Sequence, residues 1–339
     1  MIEIDGSEGG GQILRTASSL AAVTGKKVKI ENIRGSRPNP GLKEQHLKGL
    51  RGIADISNGE LENDKKGSKE IIFIPGEKIN QDQKIKIETA GSIGLILQQF
   101  QILALKKKIN LVIEGGGTSV KWSPPVEYMS KIFLPLIKQY GYKGEIKIEE
   151  HGFYPKGGGK VKAQLNGKKL KRINIEDKGE IEKIDGISKA SRTLKEQRVA
   201  ERQKKRIKKL VKEKMKKTPS IKEKYVKSLS PGSVILLRAK TEKSIIGSDQ
   251  LGEKGKRSEK VALEAFEKLK REIDSNSSVD IHMADQLIPY MGYLEKESMI
   301  KTRKITQHIK TNIDTTKKIL KSDFRIEGNK IRCLGRNTL

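Results

Sequence analysis

The stretch Ile2-Glu3-Ile4-Asp5-Gly6-Ser7-Glu8-Gly9-Gly10-Gly11-Gln12-Ile13-Leu14-Arg15 decides how this chain is read. Ile2 to Ile4 has the pattern of a short strand, Asp5 to Gly11 can only be a tight loop, and Gln12 to Val23 has the period of an amphipathic helix. A strand, glycine loop and helix in that order present unpartnered backbone N–H groups and the positive end of a helix dipole to whatever fills the loop. Arg15, in the first helical turn, adds a fixed positive charge, so the site suits an anion. Glu8 is the one acid beside it, and a carboxylate among phosphates implies a bridging divalent cation, magnesium or manganese. The pattern is neither a Walker A loop nor a Rossmann G-x-G-x-x-G.

Moving outward, Lys26 to Ile33 alternates like a half-buried strand, and the turn Gly35 to Gly41 follows with Arg34 and Arg37 on it. Two guanidinium forks on a Pro/Gly loop fit a phosphate group. A helix over Leu42–Ile56 would present Gln45 and His46 in its first turns. Strands over EIIFIPG and KIKIETAG, the apolar helix containing Gln98 and Gln99, and the strand INLVIEGGG then echo the opening unit. A shift of 81 positions lays Gly10 on Gly91 and Leu14 on Leu95, a weak internal repeat. Val126 to Tyr140 predicts a third helix. His151 opens H-G-F-Y-P-K-G-G-G and has no second ligand at helical spacing, so it reads as structural. From Ser188 to Ser228 the chain is expected to be one helix crowded with lysine and arginine, followed by the strand SVILLRAKT, a turn over Gly247 to Gly255 and the helix SEKVALEAFEKLKREI. Asp280 and His282 alternate with apolar residues as at a strand end, with Asp285 opening the next helix, and His308 falls where a strand gives way to a helix.

Composition narrows the function. A length of 339 residues supports two units. No apolar run approaches the ~20 residues needed to span a bilayer, which points to a soluble protein with no membrane partner. With one cysteine, Cys333, disulfide scaffolds and cysteine zinc sites are excluded and the expected home is the reducing cytoplasm. The formal net charge of +29 points to a polyanionic partner, RNA first, against the alternative of a lysine-rich, thermophile-like composition.

Five segments occur in order over nearly the whole chain: D-G-S-E-G-G-G-Q-I-L-R-T, I-R-x-x-R-P-x-P-G-L-x-x-Q-H-L, H-G-F-Y-P-x-G-G-G, A-D-Q-L and T-x-H-x-x-T-N. Together they resemble the RNA 3'-terminal phosphate cyclase family. The resemblance implies an α/β (α+β) fold like that of enolpyruvylshikimate-phosphate synthase, made of repeated βαβαββ units with a smaller α/β domain inserted after the third. The expected division is a catalytic repeat domain over 1–183 and 277–339 and an inserted basic domain over 184–276. The implied activity is that of a ligase: ATP-dependent conversion of an RNA 3'-phosphate end into a 2',3'-cyclic phosphodiester, through a histidine–AMP and an RNA(3')pp(5')A intermediate, with release of AMP and pyrophosphate. By the same resemblance His308 is the nucleophile. Arg15, Arg34, Arg37, Gln45, His46, Gln98, Asp285 and Gln286 contact the nucleotide, and Glu8 holds the divalent metal. His282 stands where the family often has tyrosine, and Leu251 replaces an aromatic residue that can stack on adenine, so weaker base stacking is expected. The oligomeric state stays open, with a homodimer among the choices. Two other readings compete: a non-catalytic RNA-processing scaffold of the same family, which would lack the histidine, and a small-molecule enolpyruvyl transferase, which has little use for the positive charge.

Overall fold

The computed structural model describes residues 1–336, so the last three positions of the 277–339 range lie outside the described residues. The chain opens with β1 (Ile2–Asp5), α1 (Gly11–Thr24), β2 (Val28–Glu31), α2 (Glu44–Ile56), β3 (Glu60–Glu62) and β4 (Ile71–Ile74). These strands form a sheet in the order β1-β2-β4-β3, in which β1 and β2 run parallel and the remaining pairs antiparallel. The same pattern recurs in β5 (Asp82–Lys86), α3 (Ile93–Leu103), β6 (Ile109–Glu114), α4 (Val126–Tyr128), α5 (Leu134–Lys138), β7 (Lys143–Glu150) and β8 (Lys160–Asn166). A single π-helical turn over Met129–Phe133 joins α4 to α5, and the sheet order is β5-β6-β8-β7. The 81-residue shift lays Val28 on Ile109, the first residues of β2 and β6, so the repeat seen in the sequence is a repeat of topology.

A third copy is split. It begins with β9 (Asn174–Ile175) and is interrupted by β10 (Ile181–Ser191), α6 (Val199–Met215), β11 (Ser220–Val226), β12 (Ser233–Thr241), β13 (Ile245–Leu251) and α7 (Ser258–Asp274). It resumes with α8 (Ile281–Tyr293), β14 (Ser298–Lys301), α9 (Gln307–Leu320), β15 (Ser322–Glu327) and β16 (Lys330–Arg336), its strands ordered β15-β16-β14-β9. The basic module is therefore threaded into the third unit, between its first strand and first helix, rather than following it. A βα connection on the surface accepts an insertion without breaking a ladder hydrogen bond. The module's own sheet, β11-β10-β12-β13, is covered by α6 and α7 and has a separate apolar core that includes Ile207, Leu237 and Phe266.

The helices of the three repeats share the main core. α1 packs on α2, α3 and α9, and α8 packs on α9 and α3. α1 is buried from Gln12 to Val23 except at Arg15, more enclosed than an amphipathic helix with one apolar stripe. Ala17, Ser18, Ala21 and Ala22 keep it narrow enough for neighbours on several sides; of its buried hydroxyls, Ser18 Oγ accepts from Gln99 Nε2 at 3.3 Å, while Ser19 Oγ has no partner among the described residues.

Several sequence expectations are corrected. The 188–228 segment is α-helical only over Val199–Met215, with a 3-10 turn over Arg192–Leu194 before it, and the helix is flanked by two strands. β10 was hidden because Lys189 is 3% exposed yet charged: it is ion-paired with Glu127, itself 1% exposed, with His151 Nδ1 3.4 Å from the Lys189 amine. Residues 245–251 form a strand instead of a turn. Gly247 sits there because a Cβ would lie 2.8 Å from Ile132 and 3.0 Å from Tyr128 across the module boundary, so its presence reflects close packing. No strand precedes α8. Asp280 is its N-cap, accepting from the backbone N–H of His282 and Met283 at 3.1 and 2.9 Å, and Asp285 lies one turn inside.

Candidate functional site

A cleft of about 680 Å³ runs from the N-terminus of α1 to the junction with the inserted module. At one end, Gly10 caps α1 without any side-chain cap bond, so the first N–H groups of the helix face the opening. Arg15, one turn in, is half-buried at the floor. Burial pulls its guanidinium down to about 10, with Asp285 opposing, so it remains charged at neutral pH.

His46 is 8% exposed at the start of α2. Burial, then the charges of Arg15, Arg34 and Lys43, hold its pKa down to about 3, so the ring is neutral. The Lys43 backbone N–H donates to its Nδ1 at 3.2 Å, which leaves the ring proton on Nε2, the atom turned toward Gly11. A neutral N–H donor thus stands beside a permanent cation. Arg34 does different work from Arg37. Its Nη1 donates to the carbonyls of Asn39 (2.7 Å) and Gly41 (3.1 Å) and fixes the 35–41 loop, whereas Arg37 stays exposed with Nη2 above Gly10.

The opposite wall comes from the third unit. His308 is in the first turn of α9, whose N-cap Thr306 accepts from the Ile309 N–H at 3.2 Å. Its ring is half exposed, with Nδ1 3.9 Å from Asp285 Oδ2. Asp285 is held by its other oxygen: Gln12 Nε2 donates to Oδ1 at 2.7 Å and Asn312 Nδ2 at 2.6 Å. Gln12 also donates to the His308 carbonyl (2.8 Å), Asn312 to the Asp285 carbonyl (3.0 Å), and Thr16 Oγ1 to Asn312 Oδ1 (2.7 Å). Two amides hold Oδ1 and leave Oδ2 facing the imidazole, with Nδ1 at 3.9 Å, beyond hydrogen-bond distance.

All the residues expected at the site except Glu8 line this one cleft: Arg15, Arg34, Arg37, Gln45, His46, Gln98, Asp285, Gln286 and His308. Glu8 is exposed on the loop before α1 and accepts from Gln307 Nε2 at 2.5 Å, next to His308 in sequence. Among the described residues no three His, Cys, Asp or Glu groups gather into a metal cage. A lone exposed carboxylate beside an uncapped helix N-terminus nonetheless fits a cation that takes most of its ligands from phosphates and water.

Sequence reasoning did not assign Gln12, Thr16 or Asn312 to the site. All three lie inside the motifs of the resemblance, so position could have flagged them, but the convergence of Gln12 and Asn312 on Asp285 could not be read from spacing. At the far end of the cleft it singled out His282, where the family often has tyrosine, but missed Tyr128, Asp249 and Lys268 beside it. There the Tyr128 and His282 rings meet edge to face at 6.5 Å, and burial raises the Asp249 carboxyl above its usual range against the pull of His282 and Lys268.

A sequence profile described as RNA 3'-terminal phosphate cyclase matches residues 6–326. Proteins named RNA 3'-terminal phosphate cyclase from Methanopyrus kandleri (39% identical over 338 residues, 97% of this chain and 96% of the relative) and Pyrococcus furiosus (40% over 334, 97% and 96%) align end to end. So does that of Archaeoglobus fulgidus, 39% identical over 334 residues, covering 98% of this chain and 99% of the relative. Among solved structures, the enolpyruvyl transferase NikO from Streptomyces tendae covers 98% of this chain and 48% of its own at 10% identity, with a TM-score of 0.38. With a profile match and full-length relatives at this identity, the chain belongs to the RNA 3'-terminal phosphate cyclase family.

Proposed function

We propose that this protein converts RNA 3'-phosphate ends to 2',3'-cyclic phosphodiesters at the expense of ATP, with His308 as the nucleophile. The observation that carries the reading is the His308–Asp285 pair on a cleft whose other wall is an uncapped helix N-terminus with Arg15 and a neutral His46. Asp285 Oδ2, 3.9 Å from Nδ1, is the acid that would take the Nδ1–H as the ring closes on it, and the Nε2 lone pair attacks the α-phosphorus of ATP. The N–P bond forms as the bond to the β-phosphate oxygen breaks, and pyrophosphate leaves. An oxygen of the RNA 3'-phosphate then takes the adenylyl group, breaking the N–P bond and regenerating the imidazole. The neighbouring 2'-hydroxyl attacks the 3'-phosphorus, loses its proton and expels AMP.

Such transfers depend on alignment and charge neutralisation. Arg15, Arg37, the His46 N–H and the α1 N-terminus supply donors for the phosphates, Arg34 holds the loop carrying Arg37, and Gln45, Gln98 and Gln286 add neutral contacts. Glu8 would hold a magnesium or manganese ion, whose contribution is to offset polyphosphate charge. We assign the reaction to 1–183 with 277–339 and the basic surface of 184–276 to RNA backbone contact. No helix among the described residues is long and apolar enough to cross a membrane.

The test is incubation with ATP labelled at the α-phosphate and a divalent cation. Label should enter the protein in an acid-labile, alkali-resistant bond, and RNA bearing a 3'-phosphate should become phosphatase-resistant. Persistence of both signals in His308→Ala would remove the assigned role.

A further inference from the structure

We propose that Trp122, Tyr154 and Leu229 form a platform on which the last bases of a single-stranded RNA stack before its 3'-phosphate enters the cleft. The proposal rests on RNA 3' ends being the substrate and adds how the strand is held. The three side chains are 96%, 75% and 64% exposed, an unusual state for large apolar groups, and they are half of the six such exposures among the described residues.

They lie on three loops that are stitched together. Ser119 forms a β-bridge with Phe153, the neighbour of Tyr154. The Lys156 N–H donates to Ser230 Oγ at 3.1 Å, and Leu229 lies over Gly158, where a Cβ would meet its Cδ1 at 2.5 Å. The Trp122 loop is fixed at both ends: the Thr118 N–H donates to the Gly152 carbonyl (2.8 Å) and the Val126 N–H to the Thr118 carbonyl (2.9 Å). Lys121 pairs with Glu253 of the inserted module at 3.2 Å.

Within this anchored loop Trp122 takes a φ of 60°, a left-handed conformation that a bulky residue adopts only when its surroundings impose it, and the result aims the indole into water. Trp122, Ser123 and Pro124 are also part of the cleft wall, so the ridge leads into the catalytic opening. Lys156 and Lys227 flank it, both exposed and in no ion pair among the described residues. Exposed rings interleaved with free cations bind single-stranded nucleic acid by stacking plus backbone contact. A duplex keeps its bases stacked on each other and offers no free face.

Trp122 is the only tryptophan, so intrinsic fluorescence reports on it alone. The wild-type protein is titrated with a single-stranded ribo-oligonucleotide ending in 3'-phosphate, with ATP, and with a blunt RNA duplex. Saturable quenching by the single strand only is expected. In Tyr154→Ala the KM for the oligonucleotide should rise about tenfold, the lower part of the range for one lost base stack, with the KM for ATP unchanged. Quenching by ATP alone would place the indole on the nucleotide base instead, and either that result or unaltered emission while the oligonucleotide is being cyclised overturns the proposal. If the protein forms no adenylate from ATP, the reaction assigned above fails, whereas quenching by the single strand would still uphold the platform.

Discussion

Gly11 separates catalytic geometry from stability. It is the first residue of α1, and an ideal Cβ on it would lie 2.3 Å from His46 Nε2, 2.7 Å from Cδ2 and 3.1 Å from Arg15 Nη1. Carbon and nitrogen in contact prefer about 3.5 Å or more, so the imidazole must retreat by over ~1 Å. It cannot pivot freely, because the Lys43 N–H holds its Nδ1 at 3.2 Å. Forcing the ring out costs about 1 kcal/mol for that hydrogen bond and a similar amount for an off-rotamer side chain. Alanine in place of glycine returns up to about 1 kcal/mol of helix propensity. Net stability should therefore fall by only about 1 kcal/mol, a few degrees in Tm for a chain of this size. Phosphate alignment should suffer far more, since a displacement of ~1 Å near reacting atoms can lower the rate by about 10²-fold. The assay is the single-turnover rate of adenylation in Gly11→Ala beside a thermal melt. Gly10→Ala serves as the contrast: its Cβ would meet only Arg37 Nη2, at 3.6 Å, and the loss should be much smaller. Equal rates in the two variants, or a wild-type rate in Gly11→Ala, would refute the claim that His46 is fixed against the helix end.

Gln12→Ala removes the amide that touches both Asp285 and the His308 carbonyl, and a hydrogen bond to a charged group contributes about 1.5–3 kcal/mol, so adenylation should slow by roughly 10- to 150-fold. The KM for ATP should change little; a loss confined to KM would mean that Gln12 contacts nucleotide instead. Acid should destabilise the fold through His46 and His151, which burial lowers to about 3 and about 4. Below the unfolded value of ~6.5 the unfolded chain takes up protons that the folded chain refuses, so stability is full above pH ~6.5 and declines toward pH 4. Urea midpoints measured from pH 7.5 down to 4.5 should show this slope, and His151→Gln should flatten it; an unchanged slope would remove His151 from the account.

What the sequence made legible follows from where the information sits. α1, α3 and α7 were readable because glycine or serine punctuation and apolar periodicity lie within one window. β10, β13 and the start of α8 were not, because their residues answer to distant partners. Lys189 looks solvated until Glu127 of another unit is beside it, Gly247 looks like a turn until Ile132 and Tyr128 press on it, and Asp280 imitates a strand position while capping a helix. The cleft's charged residues stood out by type and motif. The end walled by Asp249 and Lys268 did not, since two charges in an apparently solvated module carry no local signal, and Thr16, though it ends the first motif, gave no sign of its bond to Asn312.

The split of the third unit bears directly on the chemistry. Gln12 and Asp285 are 273 positions apart, and Gln12 and His308 are 296, yet one amide group joins all three. The N-terminal end of α1 and the His308–Asp285 pair therefore belong to different repeats and acquire their relation only when α1 packs on α9. Because that contact is between helices in a common buried layer, a shift of α9 would move His308 relative to the anion site and strip Asp285 of its amide donors together. The inserted module enters between β9 and α8, and Asp280 at the head of α8, the helix that carries Asp285, accepts from Gly247 N at 2.9 Å and Tyr128 Oη at 2.7 Å. Asp280 therefore joins β13 of the module to the helix that carries Asp285, which links the surface that would hold RNA to the residues that would act on its end.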